Sequence, residues 1–175
     1  MATKEKSKDK KKSHKCEATG KPSKFQIAVD KDLPGAYKSG LGAIKKNERN
    51  KFDFITNPRD IDGSVDIDAT TKTQFPHDNR WDYAVGYQGK AYFFEVHPMS
   101  EGEIPTMIAK KDWLAKFLET QAQNINKLKT SNTPYFWLFT NADNLIINAR
   151  STIPFKLAKN NLEWRKTEII KYFAG

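Results

Sequence analysis

Cysteine is nearly missing from this chain of 175 residues, which carries one, Cys16. A lone thiol excludes an intramolecular disulfide framework, and with only His14 beside it there are too few donors for a zinc site. A reducing, cytoplasmic setting is the expectation. No apolar run approaches the length of a membrane span, and the N-terminus lacks the apolar segment of a secretory signal, so no membrane partner is expected. Glycine-rich phosphate loops, zinc-ligand spacing and a serine nucleophile elbow are missing too. Acidic charge is in deficit: 30 Lys and Arg stand against 21 Asp and Glu, a net charge of +9. That balance favours a polyanionic partner such as nucleic acid, while leaving a protein partner open.

The excess is concentrated at the start. Residues 1–24 hold nine Lys against Glu5, Asp9 and Glu17, which is 9 − 3 = +6 and leaves +3 for the rest. With almost no large apolar residue, this stretch cannot offset its ordering entropy and reads as a disordered basic tail. Its run Lys10, Lys11, Lys12 could hold nucleic acid; solubility alone is the plainer role. Residues 25–175 read as one globular α/β domain, a length sufficient for a real core.

Within that domain "FQIAV" suggests a short strand, and residues 33–52 a helix carrying Tyr37, Leu41, Ile44 and Glu48 on one face, weakened by Gly35, Gly40 and Gly42. Residues 63–71 alternate as a strand, with Val65 and Ile67 on one side and Asp66 and Asp68 on the other. The acidic run "DIDGSVDID" departs from a calcium loop in spacing and in the position of its glycine. Residues 103–129 form the clearest amphipathic helix, with Pro105 in its first turn and Ser100 and Glu103 resembling a capping box. The run "PYFWLFT", 134–140, is a strand buried on both faces. "NLIINA" suggests another strand and residues 162–173 a closing helix. The order implies an α/β sandwich with a mixed sheet: a three-strand antiparallel meander, a crossover helix and a buried parallel strand.

The stretch "RWDYAVGYQGKAYFFEVHP", 80–98, carries the chemistry. A two-residue turn at Gln88-Gly89 sets Tyr87 opposite Lys90 and Val85 opposite Tyr92. Extended outward, that register sets Asp82 opposite Glu95 and Arg80 opposite His97, all on one face. The other face, with Trp81, Tyr83, Val85, Tyr87, Tyr92, Phe94 and Val96, suits the long helix. The small residues Ala84, Gly86 and Ala91 on the acidic face would let the first helix come close. Opposed carboxylates repel. They persist where water, a proton, an intervening cationic side chain or a shared metal ion relieves them. Mg²⁺ accepts such carboxylates with water and phosphate oxygens, and Mn²⁺ also accepts imidazole.

Element order and these residues resemble the PD-(D/E)XK nuclease superfamily, over roughly residues 33–140. The family places an acidic residue on the second strand, Glu-x-Lys on the third and often a Glu on the first helix. Asp82, "Glu95-Val96-His97" and Glu48 stand at those positions. The resemblance implies a restriction-endonuclease-like core of three layers. It also implies hydrolysis of DNA or RNA phosphodiesters, with Mg²⁺ or Mn²⁺ held by Asp82, Glu95 and His97. His97 would be base or third ligand and Glu48 an outer ligand. The departure is His97 where the family has Lys: an imidazole near neutrality supplies no permanent charge. Arg80, also a candidate nucleic-acid contact, or Lys90 would have to do so. The alternatives are a non-catalytic nucleic-acid- or protein-binding module with a degenerate site, and an interaction protein, as in a toxin or defence system, whose acidic pair is only structural.

Overall fold

The computed structural model describes residues 20–129, 135–140 and 153–173. The Lys10–Lys12 run, most of the basic tail and the strand expected at 144–149 lie outside them.

Among the described residues, five strands form one mixed sheet in chain order. The strands β1 (Ile61–Asp66), β2 (Tyr83–Tyr87) and β3 (Lys90–Val96) make the antiparallel meander. The strands β4 (Tyr135–Leu138) and β5 (Leu162–Glu163) add in parallel beyond β3. The hairpin register is the expected one, Tyr87 with Lys90 through Tyr83 with Phe94. Gln88 and Gly89 both take positive φ, 48° and 75°, as a tight primed turn requires.

The helices differ more from expectation. "FQIAV" lies in helix α1 (Lys24–Asp32), not a strand. Phe25, Ala28 and Val29 are buried at helical spacing, and the Ser23 hydroxyl caps the first turn by accepting from Gln26 N at 3.0 Å. Residues 33–52 form no long helix. Gly35 and Gly40 take positive φ, and the chain turns repeatedly before a short 3₁₀ turn at Arg49–Phe52. β1 ends at Asp66, whose carboxylate caps the short helix α2 (Ile67–Thr71) by accepting from Ala69 N at 2.8 Å.

The long helix is divided into α3 (Ile104–Thr120) and α4 (Gln123–Asn126). Pro105 sits in its first turn as read, but Ser100 makes no side-chain cap there. The expected closing helix resolves into β5, helix α6 (Lys166–Ile169) and a 3₁₀ turn, preceded by helix α5 (Ile153–Lys159).

Two cores flank the sheet. On one face α1 and α3 cover Ala84, Ala91, Phe93 and Trp137. On the other, Tyr83, Val85, Tyr87, Tyr92 and Phe94 pack against Phe52, Phe54 and Phe173. The expected sides are therefore exchanged: α3 lies on the face of small residues, and the aromatic face is closed by the 44–55 segment and the chain's end. Gly86 shows why. The Phe25 ring of α1 lies so close that a Cβ on Gly86 would be 2.3 Å from its Cγ. Trp81 also changes sides, joining the α1–α3 core against Tyr135. Just before β2 the chain leaves the ladder, and Asp82 O accepts from Ile67 N at 2.8 Å.

Candidate functional site

Beyond the Tyr83–Phe94 pair, side chains take over from the ladder. Asp82 N donates to Glu95 Oε2 at 3.1 Å, and Val96 N donates to Asp82 Oδ2 at 3.0 Å. Each carboxylate thus caps an amide of the opposing segment. That leaves one oxygen of each, Asp82 Oδ1 and Glu95 Oε1, for other partners.

Both remaining oxygens face the same cation. Lys110, on α3, hydrogen-bonds through Nζ to Glu95 Oε1 and stands 4.0 Å from Asp82 Oδ1. Glu95 is fully buried, and the side chains of Asp82 and Lys110 are each 17 % exposed. Burial, and next the charge of Asp82, push the Glu95 carboxyl up to about 8, with Lys110 pulling back. Burial also raises Asp82, against the opposing charges of Lys110 and Lys45 and the Val96 amide.

Glu48 arrives from a turn rather than from a helix. Tyr83 OH donates to Glu48 Oε2 at 2.6 Å. The Glu48 charge raises both Asp66 and Asp82, and Lys45 lowers both. Asp66, the rival carboxylate from β1, is itself raised, by burial first. The structure therefore gathers Glu48, Asp66, Asp82 and Glu95, with Lys45 and Lys110, around one end of β2 and β3.

His97 and Arg80 are engaged elsewhere. His97 Nδ1 lies 3.0 Å from Pro98 O and 3.8 Å from Glu103. Arg80 pairs with Asp68 at 2.8 Å and donates to Phe75 O, with its side chain 12 % exposed. Among the described residues, neither bonds to Asp82 or Glu95. Lys90 is exposed at the hairpin end of β3.

Lys110 escaped the sequence reading. Its signal was available: it falls three residues after Met107 and four before Leu114, inside the buried stripe of α3. A lysine on such a stripe needs a partner. The placement of α3 on the opposite face hid the partner.

Among the described residues no group of three Asp, Glu, His or Cys is arranged to hold a metal ion, and no helix is long and apolar enough to cross a membrane. The two oxygens that face Lys110 are also of the kind that a hard cation takes while completing its shell with water or phosphate, and the pair already holds a positive charge in Lys110. Among family models, curated proteins and solved structures, none matches the chain.

Proposed function

We propose that the protein is a divalent-metal-dependent nuclease on a restriction-endonuclease-like core. The observation that carries this reading is Lys110 between Asp82 and Glu95. It supplies from the next helix the permanent positive charge that His97 cannot. The strand order supports the same reading: an antiparallel meander, then a parallel strand after a helix.

In this reading Asp82 Oδ1 and Glu95 Oε1 hold Mg²⁺ or Mn²⁺. The bound ion would polarise the phosphate and acidify a water. Lys110 offsets phosphate charge from the buried side. Glu48, fixed by Tyr83, offers a carboxylate to outer waters. His97, half-exposed just after β3, would be the base or third ligand.

A second reading, a nucleic-acid- or protein-binding module without turnover, is favoured by the completeness of the same trio. Lys110 already hydrogen-bonds Glu95 Oε1 and lies 4.0 Å from Asp82 Oδ1, so a side chain balances the charge of the pair.

Cleavage of labelled DNA and RNA with Mg²⁺ or Mn²⁺ separates the two. The nuclease reading expects chelator-sensitive cleavage, lost in Asp82→Asn and Lys110→Met with folding checked by circular dichroism. It also expects calorimetric Mn²⁺ binding that the Asp82→Ala/Glu95→Ala variant loses. Retention of nucleic acid without cleavage, and no Mn²⁺ binding even with nucleic acid added, would leave the binding module.

A further inference from the structure

We propose that the cleft between residues 50–54 and the 163–166 loop binds a nucleotide. Its base would lie on Trp164 and its phosphate among Lys51, Arg165 and Lys166.

The cleft measures about 460 Å³ and is floored by Phe54 and Leu138, within the range of small-molecule sites. Trp164 is half-buried, with its ring 5.9 Å from that of Phe139 at a 37° tilt. Three cations line the cleft against one carboxylate, Asp53. Lys166 reaches across to Asp53 at 2.9 Å, and both side chains stay well exposed. An aromatic wall beside surplus positive charge is the chemistry that holds a base and its phosphate together.

The loop carrying these groups is braced. Glu163 Oε1 accepts from both Trp164 N and Arg165 N at 2.9 Å. Trp164 and Arg165 are thus presented from a fixed backbone.

The location is apt as well. Leu138 ends β4, paired with Val96 at the carboxyl end of the parallel β3–β4 pair, and His97 N donates to Leu138 O at 3.1 Å. Open α/β sheets take ligands beyond the carboxyl ends of their strands. Glu95 precedes Val96 and points to the opposite face. The cleft and the carboxylate pair therefore flank the same end of the sheet, and a single strand crossing that end would meet both. Only this last step rests on the nuclease reading; binding in the cleft does not.

A free mononucleotide and one unit of a single strand offer the same chemistry. The full chain, in chelator to prevent turnover, is titrated with a fluorescein-labelled oligothymidylate by anisotropy and with thymidine monophosphate by calorimetry. The proteins are wild type, Trp164→Ala and Arg165→Glu/Lys166→Glu. Each variant should weaken oligothymidylate binding about tenfold, the scale of losing one stacked base. Thymidine monophosphate bound by wild type and lost in Trp164→Ala assigns the site to single nucleotides. Sensitivity of the oligonucleotide alone assigns it to a strand.

The Arg165→Glu/Lys166→Glu variant changes only exposed side chains, so it carries the test if Trp164→Ala loosens the fold. Wild-type affinity in that variant, or no binding by wild type, overturns the proposal. Asp82→Asn keeps the two readings apart, because it should abolish cleavage and leave thymidine monophosphate binding in the cleft intact. Trp164-dependent binding in a protein that cleaves nothing keeps the cleft and discards the nuclease. Asp82-dependent cleavage indifferent to both cleft variants does the reverse.

Discussion

Lys110 on α3 holds Glu95 on β3 by a hydrogen bond to a fully buried carboxylate, and Asp82 Oδ1 is 4.0 Å from the same ammonium. Without that cation, two carboxylates would face each other away from water. Breaking a buried pair by removing one partner costs about 3 kcal/mol or more. Lys110→Met keeps the stem and removes the charge. It should lower unfolding free energy by about 3 kcal/mol toward and above pH 8, where Glu95 ionises, and by clearly less at pH 5, where the native Glu95 carboxyl already carries a proton. Urea unfolding at the two pH values reads this. Equal losses at both would mean that Lys110 stabilises by packing alone.

The same burial sets the sign of the wild type's pH dependence. The Glu95 carboxyl is raised from 4.5 to about 8. Below 4.5 both folded and unfolded chains carry the proton. Between 4.5 and 8 the unfolded chain has lost it and the native one retains it, so the native state binds more protons and stability falls as pH rises. Above about 8 the contribution is flat. Asp82, also raised by burial, acts in the same direction. Thermal melts of wild type and Glu95→Gln should therefore diverge across this window, with wild type losing more Tm toward alkaline pH. Parallel curves would show that Glu95 ionises normally in the fold.

Gly86 bears on the fold rather than on the chemistry. Its backbone lies under the Phe25 ring, with three ring or Cβ atoms within 2.7 Å of where a methyl would stand. Gly86→Ala must push α1 away from β2. Overpacking of this kind costs about 1–3 kcal/mol. A Gly86→Ala/Phe25→Leu variant should recover part of the loss in chemical denaturation. No recovery would place the strain elsewhere.

The hairpin was legible because its period is two and its turn short: Gln88-Gly89 fixes every pairing back to Tyr83. The parallel placement of β4 followed from the helix that separates it from β3. The position of Asp82 beside Glu95 was legible as proximity, but its form was not. Bonds from Asp82 N and Val96 N to carboxylates replace the ladder, and alternation says nothing of such exchanges. The region 33–52 misled because apolar spacing outweighed Gly35 and Gly40, whose positive φ breaks any helix. Both faces of β2 and β3 are buried, so hydrophobicity could not decide which one α3 covers. Lys110 was lost with that choice. Phe25 against Gly86 decides the matter, and that contact joins residues far apart in sequence.

A divalent cation at Asp82 Oδ1 and Glu95 Oε1 would compete with two things already there, the proton favoured on Glu95 and the ammonium of Lys110. Both competitions give measurable signs. Binding needs ionised carboxylates, so the rise in Tm produced by Mn²⁺ should grow from pH 5.5 toward pH 8, about where Glu95 loses its proton. Removing the ammonium should strengthen cation binding while ending turnover. In Lys110→Met, Mn²⁺ should therefore restore more stability than it adds to wild type, by about tenfold in apparent affinity. A purely structural ion pair predicts the opposite: Lys110→Met is destabilised, and Mn²⁺ does not help it at any pH. The Asp82→Ala/Glu95→Ala variant is the control. A Tm shift that survives there comes from another part of the chain and leaves this pair as a salt bridge.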